Sequence, residues 1–301
     1  MTLVDNRNVS DPYLNLAIEE FLVREVDCSE QDLLLLYINE PCIVLGKNQS
    51  IYKEINFEYL RNEKLKLCRR ISGGGTVYQD TGNLSFSFIS KFSEAKINNY
   101  KLFNQPVVDA LRKIGVNAEM DHRNNILCNG KKISGNAQFT NRKNIISHGT
   151  LLFDADLSTL RSCLKENEFK IETKAVSSVR SSVMNIKEVA HDISTTEELR
   201  NYLQKELNAE NLFSFTNEQW QTIEKSAEEK FKSFDWVYGR SPVTRITKEG
   251  FEIDVEEGMI REIRSTKYEV RSLIGTKYEF GEIKRALENF SNAPLLSTTI
   301  F

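Results

Sequence analysis

Apolar positions along the 301-residue chain change spacing repeatedly, and each change marks an element. In DPYLNLAIEEFLVRE (11–25), Leu14, Ala17, Ile18, Phe21 and Leu22 recur with a helical period, and Asp11-Pro12 supplies a start. DLLLLYI and CIVLG then predict strands around a turn at Asn39-Glu40-Pro41. FEYLRNEKL predicts a helix and KLCRRIS a strand, after which three consecutive glycines open a loop. NLSFSFIS (83–90) alternates strictly, with Leu84, Phe86 and Phe88 on one face and Ser85 and Ser87 on the other. That pattern predicts a strand with one buried face.

Further on, YKLFNQPVVDALRKIG predicts an amphipathic helix ending at Gly115. NILCNGKKISGNAQF bends at Asn129-Gly130, a hairpin signal between apolar runs, and NIISHGTLLFDA predicts another strand. From 155 to 235 the chain turns mainly helical and polar. DWVYGRSPVTRI (235–246) reads as a junction. Beyond it, GFEIDVEEGMIREIRS predicts a hairpin turning at Glu257-Gly258, and EFGEIKRALENF (279–290) a helix. A main domain over 1–242 and a small α/β domain over 243–301 are therefore expected.

Composition narrows the class. Apolar residues make up 40% and charged residues 28%, ordinary values for a globular protein. The 40 Lys+Arg against 43 Asp+Glu leave a net charge of −3, which argues against nonspecific nucleic-acid or membrane binding. Apolar runs such as LLLLY are far too short to span a bilayer, and the first residues do not read as a signal peptide. Five scattered cysteines without a CxxC pair argue against a zinc site or a disulfide framework. The expectation is a cytoplasmic protein with reduced thiols.

Three segments carry candidate chemistry. In RRISGGGTVYQDTGNLSFSF (69–88), consecutive glycines let backbone N–H groups approach a ligand and line an anion-binding concavity. Arg69 and Arg70 beside them suit a phosphate or carboxylate, although a glycine-rich turn with solvated arginines has the same appearance. No Lys-Ser/Thr pair follows the glycines, so this is not a P-loop. In GKKISGNAQF, Lys132 stands between a turn and a Ser-Gly break, placed to neutralise an anion or simply solvated. In SHGTLLF, His148 precedes an apolar strand, a setting in which a lone His is more often a structural hydrogen-bonding residue than a catalyst.

Taken in order, DPYLNLAIEEFL, PCIVLGKNQ, RRISGGGTVYQDTGNLSFSF, RNNILCNGKKISGNAQ and HGTLLFDADL closely resemble the lipoate–protein ligase A family. SVRSSVMNI (178–186) and WVYGRSP (236–242) match further landmarks of it. The resemblance implies an α+β fold shared with biotin–protein ligases: a catalytic domain with a mixed, largely antiparallel sheet and flanking helices, plus the small accessory domain. It implies activation of lipoate by Mg²⁺-ATP to lipoyl-adenylate, then transfer to a lysine of an apo lipoyl domain. The acceptor would be the glycine-cleavage H protein or an acyltransferase subunit of a 2-oxoacid dehydrogenase.

Carried over by matching position, Lys132 is the lysine expected to contact both the lipoyl carbonyl and the α-phosphate. Arg70, Ser72, Gly73, Gly74, Gly75, Thr76, Val77, Tyr78, Asn83, Asn124, Ser134, Gly135, His148, Gly149 and Thr150 are expected to bind ATP or the adenylate. Two positions depart from the family. Asn125 stands where members commonly have the Asp of Arg-Asn-Asp, which puts magnesium handling at that residue in doubt. Phe139 stands where some members carry Arg, with Arg142 the nearest replacement.

Two rival readings remain at this stage. One is a lipoyl or octanoyl transferase of the same superfamily, working without ATP through a cysteine, for which Cys42, Cys68 and Cys128 are the candidates. The other is a non-catalytic lipoate- or biotin-binding module, which has no use for Arg70, Lys132 and the glycine loop together.

Overall fold

The run Leu33–Tyr37 is apolar at every position because both of its faces are covered. Leu33, Leu35 and Tyr37 enter one hydrophobic cluster, and Leu34 and Leu36 enter the other. The computed structural model describes residues 1–164, 170–179, 181–248, 251–265 and 273–278. Within them an eight-stranded sheet runs in the order Asn211–Phe213, Thr2–Val4, Leu33–Tyr37, Asn83–Lys91, Asn144–Leu152, Lys131–Thr140, Ile126–Cys128, Ala118–Met120. The first three strands are mutually parallel and every other pairing is antiparallel. The arrangement is α+β, as the resemblance implies.

The helix Pro12–Glu25 starts where its sequence says it should. Asp11 accepts from the backbone N–H groups of Tyr13 and Leu14, and Pro12 occupies the first turn, where its missing donor costs nothing. It packs Leu16, Ala17, Ile18, Leu22 and Val23 into the first cluster. The helix Tyr100–Lys113 is capped by Asn99 and packs on the opposite face with Thr196–Glu206.

A second sheet places Cys42–Leu45 between Lys66–Arg69, parallel to it, and Val77–Gln79, antiparallel. The glycine loop leaves this sheet at Arg69 and returns at Val77. A third, antiparallel sheet runs Lys170–Thr173, Thr244–Lys248, Phe251–Glu256, Met259–Ser265. Its Ile246, Ile253, Val255, Ile260 and Ile263 share the first cluster with Ile43 and Leu67.

Both hairpin expectations hold, for a backbone reason. Asn129 and Gly130 have φ of 50° and 74°, and Glu257 and Gly258 have φ of 51° and 75°. Two successive left-handed residues match the twist of the flanking strands. The strand Asn83–Lys91, by contrast, has no exposed face: Ser85 and Ser87 are as buried as Leu84, Phe86 and Phe88. Its serine face turns toward a polar interior that the alternation alone does not distinguish from solvent. The strands Thr2–Val4, Lys170–Thr173 and Asn211–Phe213 carry too few residues to show a period. The helix expected over 279–290 lies outside the described residues, as does Arg180 of the SVRSSVMNI motif.

Candidate functional site

The two adjacent arginines face opposite ways along the strand and do different work. Arg69 is fully buried, and its guanidinium donates to the carbonyls of Gly46, Lys47, Gln49 and Val237 and to Ser241 Oγ. It ties the chain around 237–241 to the second sheet, and its donors are spent on protein acceptors rather than turned to an anion. Arg70 turns to the loop instead. Its Nη2 donates to the carbonyls of Gly73 at 2.6 Å and Gly75 at 2.8 Å, while Nη1 reaches Val44 O and Nε reaches Ser72 Oγ. Gly74, with φ of 86°, lets the backbone double back around this guanidinium. A β-carbon at Gly46 would lie 2.1 Å from Gly74 O, so the loop can sit there only against a glycine.

Across from the loop, the strand Lys131–Thr140 presents Lys132. The backbone of Lys132 is gripped on one side by Ser182–Met184, donating to Ser182 O and accepting from Met184 N. Burial pulls the Lys132 ammonium below its usual range; the Asp121 carboxylate opposes that pull and the Arg70 guanidinium adds to it. Asp121 spends its oxygens on the turn, accepting from the backbone N–H groups of Arg123 and Asn125 and from Asn125 Nδ2.

The deep wall is a polar relay. His148 Nδ1 lies 2.9 Å from both oxygens of the fully buried Glu19, and its Nε2 lies 2.6 Å from Ser72 Oγ. His148 Nδ1 donates to Glu19, whose ionised oxygens only accept, while Nε2 and the Ser72 hydroxyl share one hydrogen and Ser72 Oγ also accepts from Arg70 Nε. Tyr37 and Ser87 also donate to Glu19, at 3.1 and 2.5 Å. These contacts hold the Glu19 carboxyl below its usual range despite the opposing effect of burial, which on its own is the largest influence.

The fourth side is a strap. Ser178 Oγ accepts from Thr76 N at 2.9 Å and from Gln49 Nε2 at 3.0 Å, and donates to the buried carboxylate of Glu54. Val176 and Val179, on either side of it, are 65% and 62% exposed yet line the cavity. They are apolar surface that a bound ligand would cover.

These four walls enclose about 310 Å³. Of the residues expected from the sequence, Arg70, Gly74, Gly75, Thr76, Val77, Lys132, Gly135, His148, Gly149 and Thr150 line it, and so does Asn125. Ser72 and Gly73 sit directly behind that surface, bonded to Arg70. Tyr78 and Asn83 lie off it. Tyr78 is in the first hydrophobic cluster; Asn83 is 1% exposed, with no partner for its amide among the described residues. Asn124, with φ of 64°, offers its carbonyl to Asn136, and Ser134 is buried behind the strand. Glu19, Gln49 and Ser178 are the residues that sequence reasoning missed. Glu19 had a faint signal, an acid at i+4 from Asn15 amid Leu16, Ala17, Ile18, Leu22 and Val23.

The family model for the lipoyl protein ligase A/B catalytic domain matches residues 11–208. The lipoate–protein ligase LplJ of Bacillus subtilis is 42% identical over 248 residues, covering 80% of this chain and 75% of its own. Lipoate–protein ligase 1 of Staphylococcus aureus is 37% identical over 311 residues, covering 96% and 94%. This chain belongs to the lipoate–protein ligase family. A solved lipoate–protein ligase A, crystallised with ATP, superposes with a TM-score of 0.65 at 24% identity over 76% of this chain and 95% of its own. That likeness speaks to the fold.

Membership of the ligase family sharpens the two departures. Arg142 occupies the hairpin tip with φ of 67°, and neither it nor Phe139 is part of the cavity lining. The ring of Phe139 carries two other cations, Arg24 at 5.4 Å and Lys47 at 5.9 Å. At 125 the side chain faces the cavity as in a ligand-binding turn, but it is a neutral amide held by Asp121. All five cysteines are buried, and none lines the cavity. Among the described residues no helix is long and apolar enough to cross a membrane.

Proposed function

We propose that the chain activates lipoate with ATP and transfers the lipoyl group to a lysine of an apo lipoyl domain. The observation that carries the reading is Lys132. It is a partly desolvated ammonium set among glycines, where an anionic carboxylate and an anionic phosphate have to meet. In the first step a lipoate carboxylate oxygen attacks the α-phosphorus, and the bond from that phosphorus to the bridging oxygen breaks, releasing pyrophosphate. Two like charges approach, and a cation between them stabilises the developing charge of both. In the second step the neutral acceptor amine attacks the acyl carbon, AMP leaves and the amine gives up a proton.

In this reading Arg70 acts mainly by shaping the glycine loop, and Thr76, Val77, Gly149 and Thr150 frame the nucleotide and acyl chain. Leu16, Val44 and Ala137 offer apolar wall, worth about 0.8 kcal/mol for each methylene buried. The chemistry a bound magnesium ion supplies is neutralisation of phosphate charge. Among the described residues no cluster of three or more His, Cys, Asp or Glu could cage a metal. The donor set fits an ion carried mostly by phosphates and water, with the Asn125 amide oxygen as the protein's contribution. Residues 1–242 would form the catalytic domain and 243–301 the accessory one, in a cytoplasmic enzyme whose thiols stay reduced. The acceptor would be a glycine-cleavage H protein or a 2-oxoacid dehydrogenase acyltransferase subunit.

The test is to incubate the protein with lipoate, Mg²⁺-ATP and an apo lipoyl domain, following acceptor mass and pyrophosphate release. Lipoate-dependent release of pyrophosphate and a mass gain that requires ATP are expected. Acyl transfer that proceeds without ATP and stops on cysteine substitution would overturn the reading.

A further inference from the structure

Four cations form a row in which each neighbouring pair shares one partner. Lys47 and Arg24 both lie over one ring, Phe139, at 5.9 and 5.4 Å from its centre. Arg24 and Lys230 share the carboxylate of Glu20, at 2.7 and 2.6 Å. Lys230 and Arg240 share the ring of Trp236, at 4.2 and 5.2 Å. Within the row four positive charges face a single carboxylate, and Glu20 is buried beneath them. The cations reach water: the side chains of Arg24 and Lys230 are 43% and 30% exposed, and Arg240 is exposed. Burial lowers the Lys230 ammonium most, and Glu20 opposes that; Arg24 and Arg240 add like-charge repulsion. A chain of net charge −3 thus maintains a concentrated positive strip.

The strip is anchored to the cavity. Lys47 N donates to Ser72 O, and Phe139 lies two residues beyond Ala137, which lines the cavity, on the same face of its strand. At the far end Trp236 Nε1 donates to Arg69 O at 2.7 Å. Trp236 is buried and each of the two rings already carries two cations, which disfavours stacking of nucleic-acid bases on them. What the row offers is fixed positive charge beside the glycine loop, the recognition chemistry for an acidic protein surface.

We propose that the row Lys47–Arg24–Lys230–Arg240 is the docking face for the acceptor, a folded domain with acidic side chains around its target lysine. This rests on the ligase reading above. Charge steering of this kind raises the encounter rate and weakens as salt screens it.

The experiment titrates an acidic apo lipoyl domain onto the full chain, without ATP or lipoate, at low and high salt. Wild type is compared with the Lys47→Glu/Arg240→Glu variant, with single-stranded RNA as competitor. The reversal should weaken domain binding by about tenfold or more and flatten its salt dependence. Acceptor-free, lipoate-dependent pyrophosphate release should be unchanged. Lys47→Gln/Arg240→Gln should fall between the two. Wild-type binding by the reversed variant would overturn the proposal, as would RNA displacing the domain at equal concentration. Absence of lipoate-dependent pyrophosphate release in the wild type would sink the ligase reading instead, and the binding titration would still decide the docking face.

Discussion

Lys132 lies folded over Gly135, its Nζ 2.9 Å and its Cε 3.1 Å from the point a β-carbon at 135 would occupy. Gly135 pairs with Thr150 in regular strand, so alanine there strains little except the lysine. Gly135→Ala should therefore push the ammonium aside and cut adenylate formation by about 100-fold, the scale of a 1 Å misplacement, while Tm barely moves. Lys132→Ala should nearly abolish it. Pyrophosphate release with lipoate and ATP reads both, and wild-type turnover in Lys132→Ala would refute the assigned role.

The strap depends on one hydroxyl. Ser178→Ala removes the acceptor of Thr76 N and Gln49 Nε2 and takes a donor from the buried Glu54 carboxylate. Leaving such groups unpaired costs about 1–3 kcal/mol. The expected result is adenylate escaping from the enzyme about tenfold faster in the absence of acceptor, with easier proteolysis between 174 and 181. An escape rate equal to that of the wild type would show that the strap is not held by Ser178.

Glu19 ties stability to pH. Its carboxyl, nominally 4.5, is lowered in the folded state, so its contribution is complete above the unfolded value and is lost as pH falls through the lowered folded value. Glu19→Gln puts an amide among three donors and should cost about 2–3 kcal/mol at neutral pH. In acid the two proteins should converge: below pH 4.5 the wild type loses its advantage and the gap in denaturation midpoint narrows. A gap independent of pH would mean that the carboxylate is not the titrating group.

How much of this was legible in the sequence follows from how local each signal is. Asp11-Pro12, Asn129-Gly130 and Glu257-Gly258 act on their own backbone, and each does what its residue types require. Lys132 and the glycine loop were legible because their order along the chain matches a family. Ser85 and Ser87 misled, since a serine facing a buried amide or carboxylate, here Gln79 and Glu19, has the same spacing as one facing water. Arg69 misled likewise: nothing in RRIS says that one guanidinium will be spent on five acceptors brought from 46–49 and 237–241. Ser178 and Glu54 meet only in three dimensions, 124 positions apart.

The cysteines give a last prediction, aimed at the ATP-independent alternative. A thiol that carries an acyl group has to reach the substrate and to ionise. Here burial pushes Cys28 up to about 11 and Cys163 up to about 12, and raises Cys68 and Cys128 as well. Cys68 also touches Cys42, so ionising one thiol is opposed by the other. Cys42→Ala, Cys68→Ala and Cys128→Ala should each keep ATP-dependent acceptor lipoylation within about threefold of wild type, with losses confined to Tm, about 1 kcal/mol for a buried atom of this size. Iodoacetamide on the folded protein should leave activity intact, and should act only once denaturant opens the core. Rapid inactivation of the native protein, prevented by lipoate, would restore a cysteine to the mechanism.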